Sequence, residues 1–139
     1  MSITLTWLNR GVNDRELQYL NNETPFNLRV RLYVNSHSPV VTDTDSAFTE
    51  CTATGYAAQT LVAANWSGST TGGTATYTYP TLTFTFAAGL GQTVYGVYLD
   101  DGATPTPHTQ MAGLLDVPFA IPAGGGTLTI ALTDQFHQC

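Results

Sequence analysis

The chain has 139 residues, of which 42% are hydrophobic and 10% are charged, so it is long enough for one domain core but its surface carries few ions. It has no lysine, four arginines and ten acidic residues, for a formal net charge of -6, which argues against a nucleic-acid-binding surface. No apolar run is long enough for a membrane helix, and the N-terminus lacks the residue order of a signal peptide, so we expect no membrane contact.

The first residues predict an extended arm, residues 1–11, ahead of the main domain. Ile3, Leu5 and Trp7 alternate with polar residues, which is typical of a short strand. Such an arm could add a strand to a neighbouring subunit through backbone hydrogen bonds. We therefore count these three residues among the candidate interface residues.

One short helix is predicted directly after the arm. Asn13 is a suitable N-cap, and Glu16 three residues later completes a capping box. Pro25 cannot continue a helix and restricts the residue before it. The helix is therefore expected over residues 14–21.

Alternating apolar and polar residues predict strands through the rest of the chain. The clearest strand covers residues 26–34, and a nearly continuous apolar run at 93–99 indicates a central strand. Further strands are expected at 47–52, 56–63, 75–86, 111–117 and 127–133, separated by turn-rich loops. Pro80 lies inside one of them and marks a bulge, a bend or an edge. Seven to nine short strands favour an all-β fold, a β-sandwich or jelly-roll-like domain, over residues 12–139.

The two cysteines leave their redox state open. Cys51 and Cys139 are far apart in the sequence, and the second is the last residue. Two cysteines at that separation do not define a disulfide framework, and free thiols fit them at least as well as a bridge.

No combination of residues predicts catalysis. His37, His108 and His137 fall in two predicted loops and a tail, and no Gly-x-Ser-x-Gly elbow is present. Cysteine and histidine do not cluster at zinc spacing, and almost all acidic residues fall in turns or in the helix, which argues against a glycosidase pair. We therefore predict a protein that is not an enzyme and needs no cofactor.

A weak calcium site is conceivable in the loop after the first long strand. Asp43, Asp45 and Glu50 could supply oxygen ligands, which calcium prefers. Their spacing does not match an EF-hand, and a solvated loop whose side chains bond the nearby backbone explains the same pattern. Both interpretations stay open at this stage, with the loop favoured.

Aromatic residues are the main candidates for a binding surface. Trp66, Tyr77 and Tyr79 lie next to or within predicted strands, where rings form either core or contact platforms. Because Pro80 interrupts the alternation, part of the 75–86 segment could be exposed or lie in a subunit interface. These three residues join the candidate interface set.

Short motifs in the chain resemble those of small virion structural proteins of tailed bacteriophages. They are F-T-E at residues 48–50, G-Y-A-A-x-T-L at 55–61 and V-Y-G at 94–96. The resemblance covers most of residues 12–133, and the proline-rich segment 102–113 departs from it. It implies a β-rich protein incorporated into the capsid or tail, without enzymatic activity and without catalytic residues.

The sequence therefore favours a virion protein assembled in the host cytoplasm, and in particular a capsid cement or decoration protein. It would form a homo-oligomer, a trimer or dimer, and bind the major capsid protein or other virion proteins. A surface poor in charge suits such packing, because few ions lose their water. The alternatives are a tail adaptor, tube or fibre-base component, or a carbohydrate-binding β-sandwich that uses Trp66 and exposed tyrosines.

Overall fold

Two β-sheets packed against each other form the protein in the computed structural model, which describes residues 1–21, 27–89 and 91–137. Within these residues the strands are β1 (Ser2–Thr4), β2 (Thr6–Trp7), β3 (Arg29–Tyr33), β4 (Gln59–Thr60), β5 (Ser67–Thr71), β6 (Thr74–Phe86), β7 (Thr93–Asp100), β8 (Thr109–Ala120) and β9 (Gly126–His137), and the helix is α1 (Asn9–Asn21). The four-stranded sheet has the order β1-β9-β6-β5, and the five-stranded sheet β2-β8-β7-β3-β4. The prediction of an all-β sandwich with one short N-terminal helix is confirmed.

The core lies between the two sheets and is built from alternate residues of the long strands. The four-stranded sheet contributes Leu82, Phe84, Phe86, Leu128, Ile130 and Leu132, and the five-stranded sheet contributes Val30, Leu32, Val94, Val97, Leu99, Met111 and Leu115. All of these side chains are buried. The period-two pattern of the sequence therefore indicated the inward face of each strand correctly.

Pro80 lies in a β-bulge of β6, which is one of the three alternatives predicted for it, a bulge, a bend or an edge. Tyr79 pairs with Leu132 and Leu82 pairs with Ile130, so Pro80 and its neighbour stand opposite Ala131 alone. The extra residue keeps Tyr79 and Leu82 on the same, inward side of the sheet. Both halves of β6 can therefore face the core although the alternation changes at the proline.

The N-terminal arm is part of the sandwich, so the prediction of a separate arm over residues 1–11 is wrong. β1 pairs in parallel with β9, and β2 pairs with β8 of the other sheet. Ile3 and Leu5 are buried between the sheets. The alternation that suggested a strand was correct, but its partner lies within the same chain, where both apolar side chains leave water.

The helix begins four residues before its predicted N-cap. Asn13 lies inside α1, and the Val12 N–H donates to the Leu8 carbonyl (3.0 Å). Gly11 lies directly against the backbone of Gln110, where a β-carbon would overlap the carbonyl. The packing of this first turn on β8 outweighs the local capping signal. The side chain of Glu16, needed for the capping box, lies outside the described residues.

Three predicted elements between residues 47 and 74 differ in the structure. Residues 47–52 form only one bridge, Glu50 with Tyr33, and residues 56–63 shorten to β4. Conversely, residues 67–71 of the predicted turn region form β5, which turns into β6 through Gly72 and Gly73 at positive φ (58° and 79°). Two consecutive glycines in this conformation make the tight turn that suits a two-residue hairpin.

The last predicted strands are longer than the sequence indicated. β8 continues through Pro118, because the register of β8 against β7 shifts opposite Tyr95 and residues 115–118 stand there without regular pairs. Cys51 is a buried free cysteine, whereas Cys139 lies outside the described residues, so no pairing of the cysteines is described. Phe26, the first residue of the predicted strand 26–34, also lies outside the described residues.

Within the described ranges, α1 falls short of the length and apolarity needed to cross a membrane.

Candidate assembly face

The outer face of the five-stranded sheet is covered by another part of the chain, whereas the outer face of the four-stranded sheet is exposed. On the five-stranded sheet, Tyr33, Tyr98 and Phe48 form a buried aromatic cluster where the loop of residues 35–48, which we call the cover loop, lies on the sheet. On the four-stranded sheet, the outward side chains of β5 and of most of β6 and β9 are exposed. One side of the sandwich is therefore closed by its own chain, and the other is open.

The open side is formed almost entirely by threonine and serine. We call it the threonine face, and its residues are Thr76, Thr78, Thr83 and Thr85 of β6, Thr127, Thr129 and Thr133 of β9, and Ser67, Ser69 and Thr71 of β5. None of these side chains is charged, although the chain has ten acidic residues and four arginines. The charge is thus located elsewhere on the molecule.

The pairing of β6 with β9 arranges the threonines in rows. Thr83 pairs with Thr129 and their hydroxyl oxygens are 3.4 Å apart. Thr85 pairs with Thr127 in the next row, with a side chain of the same type on both strands. β-branched threonine packs well on a pleated surface and its hydroxyl can bond across the strands. The result is a regular, uncharged and polar surface.

The calcium site suggested by the sequence is not formed. Asp43 Oδ2 lies 2.7 Å from His37 Nε2 and also accepts the Val40 N–H (2.8 Å), while Asp45 Oδ1 accepts the Thr109 N–H (2.5 Å). Glu50 is bound by Arg31. Each carboxylate thus has a protein partner of its own, and the described residues contain no group of three metal-ligating side chains. The three carboxylates are therefore not brought together as a ligand set, because the loop uses them to hold its own shape.

The candidate interface residues have divided roles. Ile3, Leu5 and Tyr79 are buried in the core, so the prediction that they form an interface is wrong. The Trp7 Nε1–H donates to Asp134 Oδ1 (2.9 Å), and Trp66 packs edge-on against Tyr79 with centroids 5.2 Å apart. Of the six candidates, these two are half-buried. Tyr77 alone is well exposed, at 41%.

A buried ion network fixes the far end of the five-stranded sheet. Asp100, with 2% of its side chain exposed, accepts hydrogen bonds from Arg29 (3.1 and 3.2 Å) and from Arg31 Nε (2.5 Å). Arg31 also binds Glu50, which accepts the Tyr56 hydroxyl (3.1 Å). Sequence reasoning missed this network, because the pairing of β3 with β7 that joins these residues spans about 70 positions. Its groups satisfy one another, which is typical of a structural role.

The aromatic cluster ties the cover loop to the sheet. Phe48 stacks on Tyr98 with centroids 5.3 Å apart and touches Tyr33 at 5.2 Å. Burial, assisted by the Asp43 carboxylate, raises the pKa of Tyr33 to about 12. Burial, assisted by Glu50, raises the pKa of Tyr98 to about 12 as well. Both phenols therefore resist ionisation while the loop stays in place.

We expect the protein to lose stability as the pH rises from about 10 to about 12. Tyrosines of the unfolded chain ionise near pH 10, whereas Tyr33 and Tyr98 keep their protons to about 12, so the native state binds more protons in this window. Urea unfolding at several alkaline pH values measures the slope. The Tyr98→Phe variant should show a shallower slope, and an unchanged slope would contradict the assignment.

No protein-family model matches the chain, and no curated protein is significantly similar to it.

Proposed function

We propose that this protein is a non-enzymatic structural component of a tailed-phage virion that packs against other copies of itself through the threonine face. The observation that carries the proposal is the absence of charged side chains from the described part of this open sheet face in a chain of net charge -6. Two such faces can meet without stripping water from ions and without repulsion between like charges. A second copy of the chain is therefore the partner that the face suits best.

The size of the face is compatible with this role. Strands about 4.8 Å apart that rise about 3.4 Å per residue give the threonine face roughly 500 Å² of projected area. A face-to-face pair would then bury roughly 1,000 Å² in total, which is near the lower limit for a specific interface. Association through this face alone would be weak, and repeated copies on a shell would strengthen it.

Within the virion we propose the role of a capsid cement or decoration protein. The support comes from the motif resemblance, and the structure shows what these motifs do. Phe48 of F-T-E anchors the cover loop, Tyr56 of G-Y-A-A-x-T-L joins the ion network, and Gly96 of V-Y-G makes room for Tyr33. The motifs are thus determinants of the fold, and sharing them is an argument for a shared architecture.

The threonine face is tested by placing charge on it. We expect Thr83→Arg with Thr129→Arg to weaken self-association at least tenfold, because like charges would then face each other across the interface. Light scattering over a concentration series measures the association. Thr42→Arg with Thr106→Arg adds the same charge at two exposed positions outside the face and should leave association unchanged.

The virion role is tested separately by binding to expanded capsids stripped of accessory proteins. Saturable co-sedimentation at a stoichiometry compatible with the shell symmetry would support a cement protein. A protein that stays monomeric at all concentrations and ignores the shell would overturn the proposal. A large closed ring that ignores the shell would indicate a tail component.

A further inference from the structure

A cleft opens along the edge of the sandwich where the chain passes from one sheet to the other. It has a volume of about 460 Å³ and is lined by Ser2, Thr4, Thr6, Ser38, Pro39, Gly113, Leu114 and Asp116. A smaller cavity of about 240 Å³ shares Ser38, Leu114 and Asp116 with it and continues toward Tyr95. We call the two together the edge cleft.

The backbone of β1 faces this cleft with groups that its own sheet does not use. The Ala131 N–H donates to the Met1 carbonyl, and the Leu5 N–H donates to the Thr133 carbonyl, both at 2.8 Å. In a parallel ladder the bonding groups belong to every second residue, so those of Ser2 and Thr4 point away from β9. β1 is also the last strand of its sheet among the described residues. The Thr4 carbonyl lies against Gly113 of β8, so the part of this edge around Ser2 is the template for one more strand.

The neighbouring edge of the other sheet is also open. β2 covers β8 only at Met111 and Ala112. Beyond them, the regular pairing of β8 with β7 is interrupted opposite Tyr95, and Leu114 and Val117 are exposed at 43% and 66%. The edge cleft therefore offers apolar side chains next to unused backbone groups, the combination that extended peptides use when they add to a sheet.

Asp116 gives the cleft its charge. Among the described side chains, it is the carboxylate without a hydrogen bond or ion pair to the protein. It is exposed and lines both cavities of the cleft. A cationic side chain placed here would meet an unpaired negative charge in a protein whose net charge is already -6.

We propose that the edge cleft binds an extended segment of a different protein, which adds a strand along β1 and places a lysine or arginine at Asp116. A second copy of this chain is a poor occupant, because the chain has no lysine. Its arginines are also engaged: Arg10 binds Asp14, Arg15 lies over Trp7, and Arg29 and Arg31 bind Asp100. The inference deepens the proposed function, since it names the chemistry of the heterologous partner in the shell.

The probe is a capped heptapeptide of alternating threonine and valine with one central lysine, titrated into ¹⁵N-labelled protein. We expect amide shifts confined to residues 2–6 and 113–116, with a Kd below about 1 mM. Asp116→Asn should weaken binding at least fivefold, whereas Asp116→Glu, which keeps the charge, should stay within twofold. A peptide with glutamate in place of lysine, and one N-methylated at alternate residues, should both fail to bind.

Three outcomes would overturn the inference. The peptide does not bind, or its amide shifts lie elsewhere on the surface. The third is that the Asp116→Asn variant binds the peptide as tightly as the unchanged protein does and the N-methylated peptide binds as tightly as the unmodified one. Cleft shifts produced by neutral oligosaccharides but not by the peptide would likewise overturn it in favour of a glycan site. The same titration on the Thr83→Arg, Thr129→Arg variant separates the two proposals. Peptide binding should persist there even when self-association is lost.

Discussion

Replacing Asp100 by alanine is expected to lower the free energy of unfolding by about 3 kcal/mol, because two arginines lose their buried partner. The Asp100 side chain is 2% exposed, and it also accepts the Gly102 N–H (2.8 Å) at the start of the next loop. Removing it leaves Arg29 and Arg31, at 29% and 19% exposure, with donors that water reaches poorly. Urea unfolding measures the loss.

The matched control for this change is Asp116→Ala. Asp116 is exposed and has no protein partner, so its loss should change stability by less than about 0.5 kcal/mol. Adding Arg29→Met to Asp100→Ala should restore part of the loss, because Arg29 has Asp100 as its partner and one unpaired donor group then disappears with its charge. Equal stability of the Asp100→Ala and Asp116→Ala variants would contradict the structural role of the network.

Replacing Ile3 by alanine is the second change with a large expected effect, a loss of about 2–4 kcal/mol. Ile3 is completely buried between the sheets, and its side chain occupies the space beside Gly113, where a β-carbon would overlap it. The substitution removes buried methyl groups and leaves a cavity that the two backbones cannot close. Thermal or urea unfolding measures the effect.

Ser2→Ala is the control for the Ile3 change, since Ser2 is the exposed neighbour on the same short strand. It should change stability by less than about 0.5 kcal/mol. If Ile3→Ala were also neutral, residues 1–11 would behave as the free arm that the sequence suggested. A large loss would show that the arm is part of the core in solution.

The sequence predicted the long strands well, because alternation is a local signal that each strand carries by itself. β6 and β7 lie where the pattern placed them, β9 begins there and continues to His137, and the bulge at Pro80 was among the stated alternatives. The short elements were less predictable. β4 has two residues, and the first turn of α1, which begins at Asn9, packs where Gly11 meets Gln110, so a partner distant in sequence decides each boundary.

The candidate sites depended much more on the tertiary structure. Asp43, Asp45 and Glu50 looked like a ligand set, yet each was already bound to a residue that spacing could not reveal. Likewise, Tyr77 and Tyr79 are two residues apart, but only the first is exposed, because the second lies between the sheets, where its hydroxyl accepts the Val62 N–H (2.9 Å). Burial of a ring is a property of the packed sheets.

The sequence by itself determined that this protein is an all-β sandwich whose surface is polar through threonine and poor in charge. Composition and period-two alternation are sufficient to predict this fold class, since they show which side chains are apolar enough to be buried and which of them share one face of a strand. Only the tertiary structure decided that the threonines lie on one open face. That arrangement depends on the register of β6 against β9, about 45 residues apart, and on α1 and the cover loop closing the opposite sheet.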